Sequence, residues 1–170
     1  DLFVGGRILP NQYPISPASY LLRNNGSGKF EDVTMLICPA LQTPGMVTSA
    51  LWTDVDNDGW IDLMVVGEFM PLGIYKNHSG LLQKMSIGDW NKSTVGWWNS
   101  ITGGDFDKDG DIDYVAGNLG WNSVFKASVQ EPVSIYAKDY NGDGRIDPIM
   151  TRYIGGKEYP CHYRESLTEQ

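Results

Sequence analysis

Apolar residues in this chain come in short clusters broken by Gly, Asn and Pro. LFVGG, SYLLRNN, KFEDVT, SALWT, LMVVGEF, GIYKN, LLQKMS, IDYVAG and VSIYAK follow one another along it. Each is short and rich in β-branched and aromatic side chains, which marks strands and not helices. Between them lie turn-forming stretches: LPNQYPISPA, GSG and the turn at Pro71. No run approaches the roughly 18 apolar residues of a membrane span. The pattern predicts an all-β fold.

The clusters recur in order. GMVTSALWTDVDNDGWIDLMVVG lies over GWWNSITGGDFDKDGDIDYVAGN, and VSIYAKDYNGDGRIDPIM follows the same course. At the centre of each copy stands D-x-[DN]-x-D-G-x-x-D, at 54–62, 105–113 and 139–147. The copies are offset by 51 and then 34 residues. Asp1-Leu-Phe-Val-Gly-Gly resembles Asp62-Leu-Met-Val-Val-Gly, so Asp1 reads as the last position of a fourth copy, and the chain as a fragment that starts inside a repeat. The repeats predict units of about four short strands over 1–46, 47–95, 96–130 and 131–170. Repeated four-stranded antiparallel units suggest the blades of a β-propeller. A β-sandwich is the rival architecture. The third copy follows the second too closely for a regular blade, and GNLGWNSVFKASVQEP stands where outer strands are expected.

The nine-residue motif has a chemical reading, the rival being an acidic turn that holds no ion, since Asp-Gly runs are also common turn signals. Carboxylates this close repel one another unless a cation lies between them. Calcium takes about six to eight oxygens, and a short loop supplies them from its first, third and fifth places and from a backbone carbonyl at the seventh. The glycine at the sixth place gives the sharp turn. An EF-hand would need a Glu at the twelfth place and a helix on each side. The twelfth place here is Val65, Ala116 or Met150, and the flanks are strand-like. The closing acid is therefore the Asp at the ninth place, and each loop joins two strands of a hairpin. The expected ligands are Asp54, Asp56, Asp58, the Trp60 carbonyl and Asp62. In the second loop they are Asp105, Asp107, Asp109, the Asp111 carbonyl and Asp113. In the third they are Asp139, Asn141, Asp143, the Arg145 carbonyl and Asp147. About three Ca²⁺ sites are expected. Ile61, Ile112 and Ile146 at the eighth place are expected to point into the core and anchor the loops.

Charge sharpens this picture. The net charge is −8, which argues against nucleic acid as a partner. Twelve of the 21 acidic residues lie in the three loops, so the acidity is mostly a metal-site signature. The two cysteines, Cys38 and Cys161, form no C-x-x-C pair, so zinc has no support. One disulfide or two separate thiols are both open.

DVDNDGWIDLMVVGE, DFDKDGDIDYVAGN and LLRNNGSGKFEDVT resemble the FG-GAP/VCBS repeats of integrin α-chain propellers, with the nearest likeness among bacterial repeat proteins. The resemblance covers most of residues 1–150. The signatures that name the repeat are degenerate, Ala50-Leu51 and Val66-Gly67 occupying those regions. It implies a calcium loop between the first and second strands of each blade, and ligand-binding loops on the opposite face. Calcium would then be scaffold, in a periplasmic, cell-surface or secreted setting. Extracellular modules bind it with Kd of roughly 10⁻⁴–10⁻³ M. A propeller has about four to eight blades, and this chain holds about two to three of them. The rest of the propeller, or a self-associated copy, is expected to cover the open blade faces.

The function expected is a non-catalytic, calcium-stabilised binding and scaffold module that contacts protein or glycan. Tyr13, Trp90 and Trp121 are the candidate ligand-binding aromatics, on loops 9–18, 37–46 and 87–96 and, for Trp121 and Phe125, on the insertion 117–132; the plainer reading is that they fill gaps between blades. Trp52, Trp97 and Trp98 fall on strands and are assigned to the core. His78 and His162 have no nucleophile or acid partner by motif. Glu68 is a candidate member of a hydrolase carboxylate pair, with a strand-end charge as the plainer reading. No phosphate loop of the G-x-x-x-x-G-K-[ST] kind is present. Asn25, Asn77 and Asn91 begin N-x-[ST] sequences, read as turn chemistry or glycan acceptors. The alternative function is a piece of a propeller enzyme acting on polysaccharide, with catalytic residues outside these 170 residues.

Overall fold

The computed structural model describes residues 1–162 apart from Ile87, Asp89 and Asn122, and leaves aside the side chains of Trp90 and Asn91. The chain divides into two compact units. One comprises residues 1–7 and 16–118; the other comprises 8–15 and the chain from 119 onward.

The first unit begins with β1 (Leu2–Val4), β2 (Tyr20–Asn24) and β3 (Phe30–Asp32), an antiparallel three-stranded sheet. A single helical turn, α1 (Thr34–Ile37), and a tighter turn at Pro39–Leu41 follow. Next comes a four-stranded antiparallel meander: β4 (Met46–Thr53), β5 (Asp62–Met70), β6 (Gly73–His78) and β7 (Leu81–Lys84). After the short α2 (Trp90–Ser93), β8 (Gly96–Gly104) and β9 (Asp113–Asn118) form a hairpin whose first strand also pairs with the far end of β5. The second unit holds β10 (Ser134–Lys138), β11 (Asp147–Ile154) and β12 (Lys157–Pro160), again antiparallel.

The fold is all-β, in open antiparallel sheets of the kind expected for incomplete propeller blades. Among the described residues, a full set of four strands occurs only in the β4–β7 unit. Residues 119–133 contain no strand among the described residues, where outer strands of the third unit would lie. The three acidic loops occupy equivalent places. Each closes a hairpin, with Thr53 opposite Asp62, Gly104 opposite Asp113 and Lys138 opposite Asp147.

Strand β5 organises the first unit. It is buried at every position except Phe69, which is half-buried. Its side chains alternate between two apolar clusters, as a strand's period of two requires. Leu63 and Val65 join Leu21, Val33, Leu41, Val47 and Tyr75 on one face. Met64 and Val66 join Ile74 and Ile101 on the other, with Trp98 and Tyr114 packed alongside. A strand covered on both faces is the central layer of a stack, which is why LMVV reads as a continuous apolar run. At Gly67 the backbones come so close that an added Cβ would lie 2.0 Å from the Met46 carbonyl oxygen. Only glycine fits there.

Two expectations about packing are corrected. Ile61 and Ile112 are 52% and 43% exposed, and Ile146 is half-buried; the eighth place does not anchor the loop in the core. Its neighbour does so instead: Asp62 is fully buried, Asp147 nearly so and Asp113 partly. Strand alternation turns one of two adjacent residues outward, and the ninth-place carboxylate is needed inside to hold the loop. Trp52 is 40% exposed and is not a core residue, because it falls on the outward phase of β4. Trp97 and Trp98 are half-buried; Trp97 packs against Phe69 with ring centres 5.1 Å apart. Cys38 and Cys161 are both free thiols.

Candidate metal centre

Each acidic loop is held by its own carboxylates. The first-place Asp accepts backbone N–H groups with both oxygens. Asp54 takes those of Asp58 (3.1 Å) and Gly59 (2.8 Å). Asp105 takes those of Lys108 (2.7 Å) and Gly110 (3.2 Å), and Asp139 those of Gly142 (2.6 Å) and Gly144 (2.9 Å). The fifth-place Asp accepts from the seventh-place N–H: Trp60 to Asp58, Asp111 to Asp109, Arg145 to Asp143. The ninth-place Asp reaches back to the second-place N–H: Val55 to Asp62, Phe106 to Asp113, Tyr140 to Asp147. The chain makes the turn with left-handed residues at the fourth and sixth places: Asn57 and Gly59, Lys108 and Gly110, Gly142 and Gly144. The sixth is glycine in all three because the conformation costs it nothing.

These bonds gather the acids. Carboxylate oxygens of Asp54, Asp56 and Asp58 lie within 4.8 Å of one another, and so do those of Asp105, Asp107 and Asp109. In loop three the third-place ligand is Asn141, whose Oδ1 accepts the Asp143 N–H at 3.0 Å. The Trp60 N–H holds the Asp58 carboxyl below its ordinary pKa. Oxygen-only ligands, turned inward on a tight loop, suit a hard cation.

The loops differ in one respect. The ammonium of Lys76 on β6 touches the Asp56 carboxylate and lies 3.5 Å from Asp58 and 3.9 Å from Asp62. The Lys76 side chain is 9% exposed. Asp56, and then the charges of Asp62 and Asp58, hold its pKa above the ordinary lysine value against the opposing effect of burial. Among the described residues no basic side chain lies within 4.0 Å of a carboxylate in loop two or loop three. Lys76 was not among the sequence candidates. Its signal was the alignment of KNHSG with RNNGSG, which puts a basic residue before an Asn in two units. The register confirms the equivalence: Leu63 pairs Tyr75 and Leu2 pairs Leu22, so Lys76 stands across from Asp62 as Arg23 does from Asp1. The following Asn N–H closes both: Asn77 N–H donates to Asp62 at 2.7 Å and Asn24 N–H to Asp1 at 3.0 Å.

Two repeats with one hydrogen-bonding plan match what the family comparison finds, since an FG-GAP-like repeat matches residues 1–65 and again 54–116. The chain belongs to the FG-GAP-like repeat family. No curated protein matches it. FG-GAP-like repeats often carry calcium, and the acidic clusters of this chain are of a kind that could hold a metal. They generally act without catalysis and are typical of extracellular proteins. No helix among the described residues is long and apolar enough to cross a membrane.

The other candidates fall as follows. Tyr13 lines a cleft of about 400 Å³ with Asn11, Asn141, Asp143, Arg145 and Asp147. It is therefore beside loop three and not on a face opposite the loops, as expected of 9–18. Trp121 is 75% exposed and its ring N–H donates to the Ala127 carbonyl at 3.1 Å. Trp90 lies outside the described side chains. Glu68 is buried and accepts both Nε and Nη2 of Arg7, at 2.8 and 2.5 Å. That ion pair ties the central strand β5 to residue 7, and Glu68 is no strand-end charge in water.

Proposed function

We propose that this chain is a calcium-stabilised, non-catalytic binding and scaffold module of a surface, periplasmic or secreted protein. The observation that carries the reading is the recurrence of one loop at one place in the fold. Three hairpins of an FG-GAP-like repeat chain close on inward-turned oxygen ligands, and two of them have no basic side chain on their carboxylates among the described residues. Loop two would hold an ion through Asp105, Asp107, Asp109, Asp113 and the Asp111 carbonyl. Loop three would do so through Asp139, Asn141, Asp143, Asp147 and the Arg145 carbonyl. A bound ion would cancel carboxylate repulsion and pin the first two strands of each unit together.

The partner is a protein or a glycan, met through aromatics such as the exposed Trp121 and the half-buried Tyr13. The four repeat units belong to a propeller whose remaining blades, or a second copy, cover its open faces. Thermal unfolding in EDTA and in excess calcium, with the bound ions counted, tests the reading. A higher melting temperature with calcium and at least two ions per chain support it. An unchanged melting temperature and no bound ion overturn it.

A further inference from the structure

We infer that loop one carries its own counter-ion, the Lys76 ammonium, and takes no divalent ion while that lysine is in place. The inference rests on the calcium reading of the sister loops. Three observations support it. The ammonium contacts or approaches the third-, fifth- and ninth-place carboxylates, which are the groups that would ligate calcium. The lysine side chain is more than nine-tenths buried, so it is directed into the cluster and not into water. Its place is set by strand register, because β6 pairs with β5 down to Leu63 and Tyr75, Lys76 comes next, and the Asn77 N–H donates to Asp62 at 2.7 Å.

The other loops cannot receive such a residue in this way. Among the described residues, β9 has no partner strand beyond β8. β12 pairs with Thr151–Ile154, the far end of β11, and stops short of Asp147. A lysine is a compact point charge with about three donors, enough to bridge several carboxylates. An incoming Ca²⁺ would have to share those carboxylates with a fixed positive charge within about 4 Å, where like-charge repulsion is strong. Loop one thus draws part of its counter-charge from the chain itself, and loops two and three would draw theirs from the solution. The first unit would keep its β4–β5 hairpin when calcium is scarce.

Trp60 supplies a local probe. It stands at the seventh place of loop one, and neither other loop contains a tryptophan. Tryptophan-excited Tb³⁺ emission and the number of bound Ca²⁺ are measured on the full chain and on Lys76→Met. The expected result is one more ion in Lys76→Met, and tryptophan-excited Tb³⁺ emission at equal ion concentration higher by about tenfold or more, as removal of a unit charge from the site requires. An equal, non-zero ion count in both proteins overturns the lysine inference alone. No bound ion in either overturns the calcium reading as well. A second pair of variants decides the matter without Lys76→Met. Asp58→Asn is expected to leave the wild-type ion count unchanged, and Asp109→Asn to lower it by one. Loss of an ion with Asp58→Asn overturns the inference.

Discussion

The β4–β7 sheet and the β10–β12 sheet close on the same nine-residue loop, yet they support it differently. In the first, β5 is covered on both faces and β6 runs past the loop and brings a lysine to it. In the second, β11 is mostly half-buried and its partner β12 pairs only at the far end. The motif sets local loop geometry in both. Burial and an internal cation are added in one alone. The contrast teaches that a repeated sequence motif need not have a repeated energetic role.

The largest expected contrast is in the strands. Leu63→Ala on β5 empties a fully buried site and should cost about 2–5 kcal/mol in urea unfolding. Ile135→Ala, at a half-buried position of β10, should cost about 1 kcal/mol. Equal costs would break the contrast between the two sheets.

Calcium comes next. At about 100-fold saturation each occupied site adds about 2.7 kcal/mol. Asp143→Asn should remove the loop-three share of the calcium-dependent rise in melting temperature. If it leaves that rise whole, loop three is only an acidic turn.

Opposite ends of the pH scale separate the units further. Asp32 accepts the Thr34 hydroxyl at 2.6 Å and its N–H at 2.9 Å, and the hydroxyl bond chiefly holds its pKa below the ordinary carboxylate value. Its contribution is therefore complete above the unfolded carboxyl pKa and is lost as pH falls through the folded value. Asp32→Asn should melt lower than wild type at neutral pH, with the gap closing in acid. Tyr136 donates to Glu158 at 3.1 Å, and that bond raises the phenol pKa. Its contribution is complete below the unfolded phenol pKa and is lost as pH rises through the folded value. The gap between Tyr136→Phe and wild type should close in alkali instead. A gap that is constant with pH would refute either assignment.

The smallest effect is chemical. Burial raises both thiol pKa values, but Cys38 is buried and Cys161 only half-buried. Native-state alkylation should modify Cys161 first. Equal labelling rates would show that the first unit opens as readily as the second.

Much of this was legible from residues alone. The strands could be read because their apolar clusters are short and punctuated by Gly, Asn and Pro. The loops could be read because nine consecutive residues contain their acids, turn glycine and closing Asp. Lys76 escaped because it lies fourteen residues beyond Asp62 and reaches the loop only through pairing. The same reason hid the Arg7–Glu68 pair, whose members are 61 residues apart. Ile61 and Ile112 were misread as anchors because a hydrophobic residue beside a loop looks inward until the phase of the strand is known.

The sequence by itself determined the all-β class, the repeats, and the three acidic loops with their turn glycines. Each of these is written within a window of a few residues, where spacing and side-chain chemistry suffice. Only the tertiary structure decided which strand is sheathed on both faces, which residue of an adjacent pair turns inward, and which loop meets a lysine. Those depend on strand register and sheet stacking, which bring together residues that the chain itself keeps far apart.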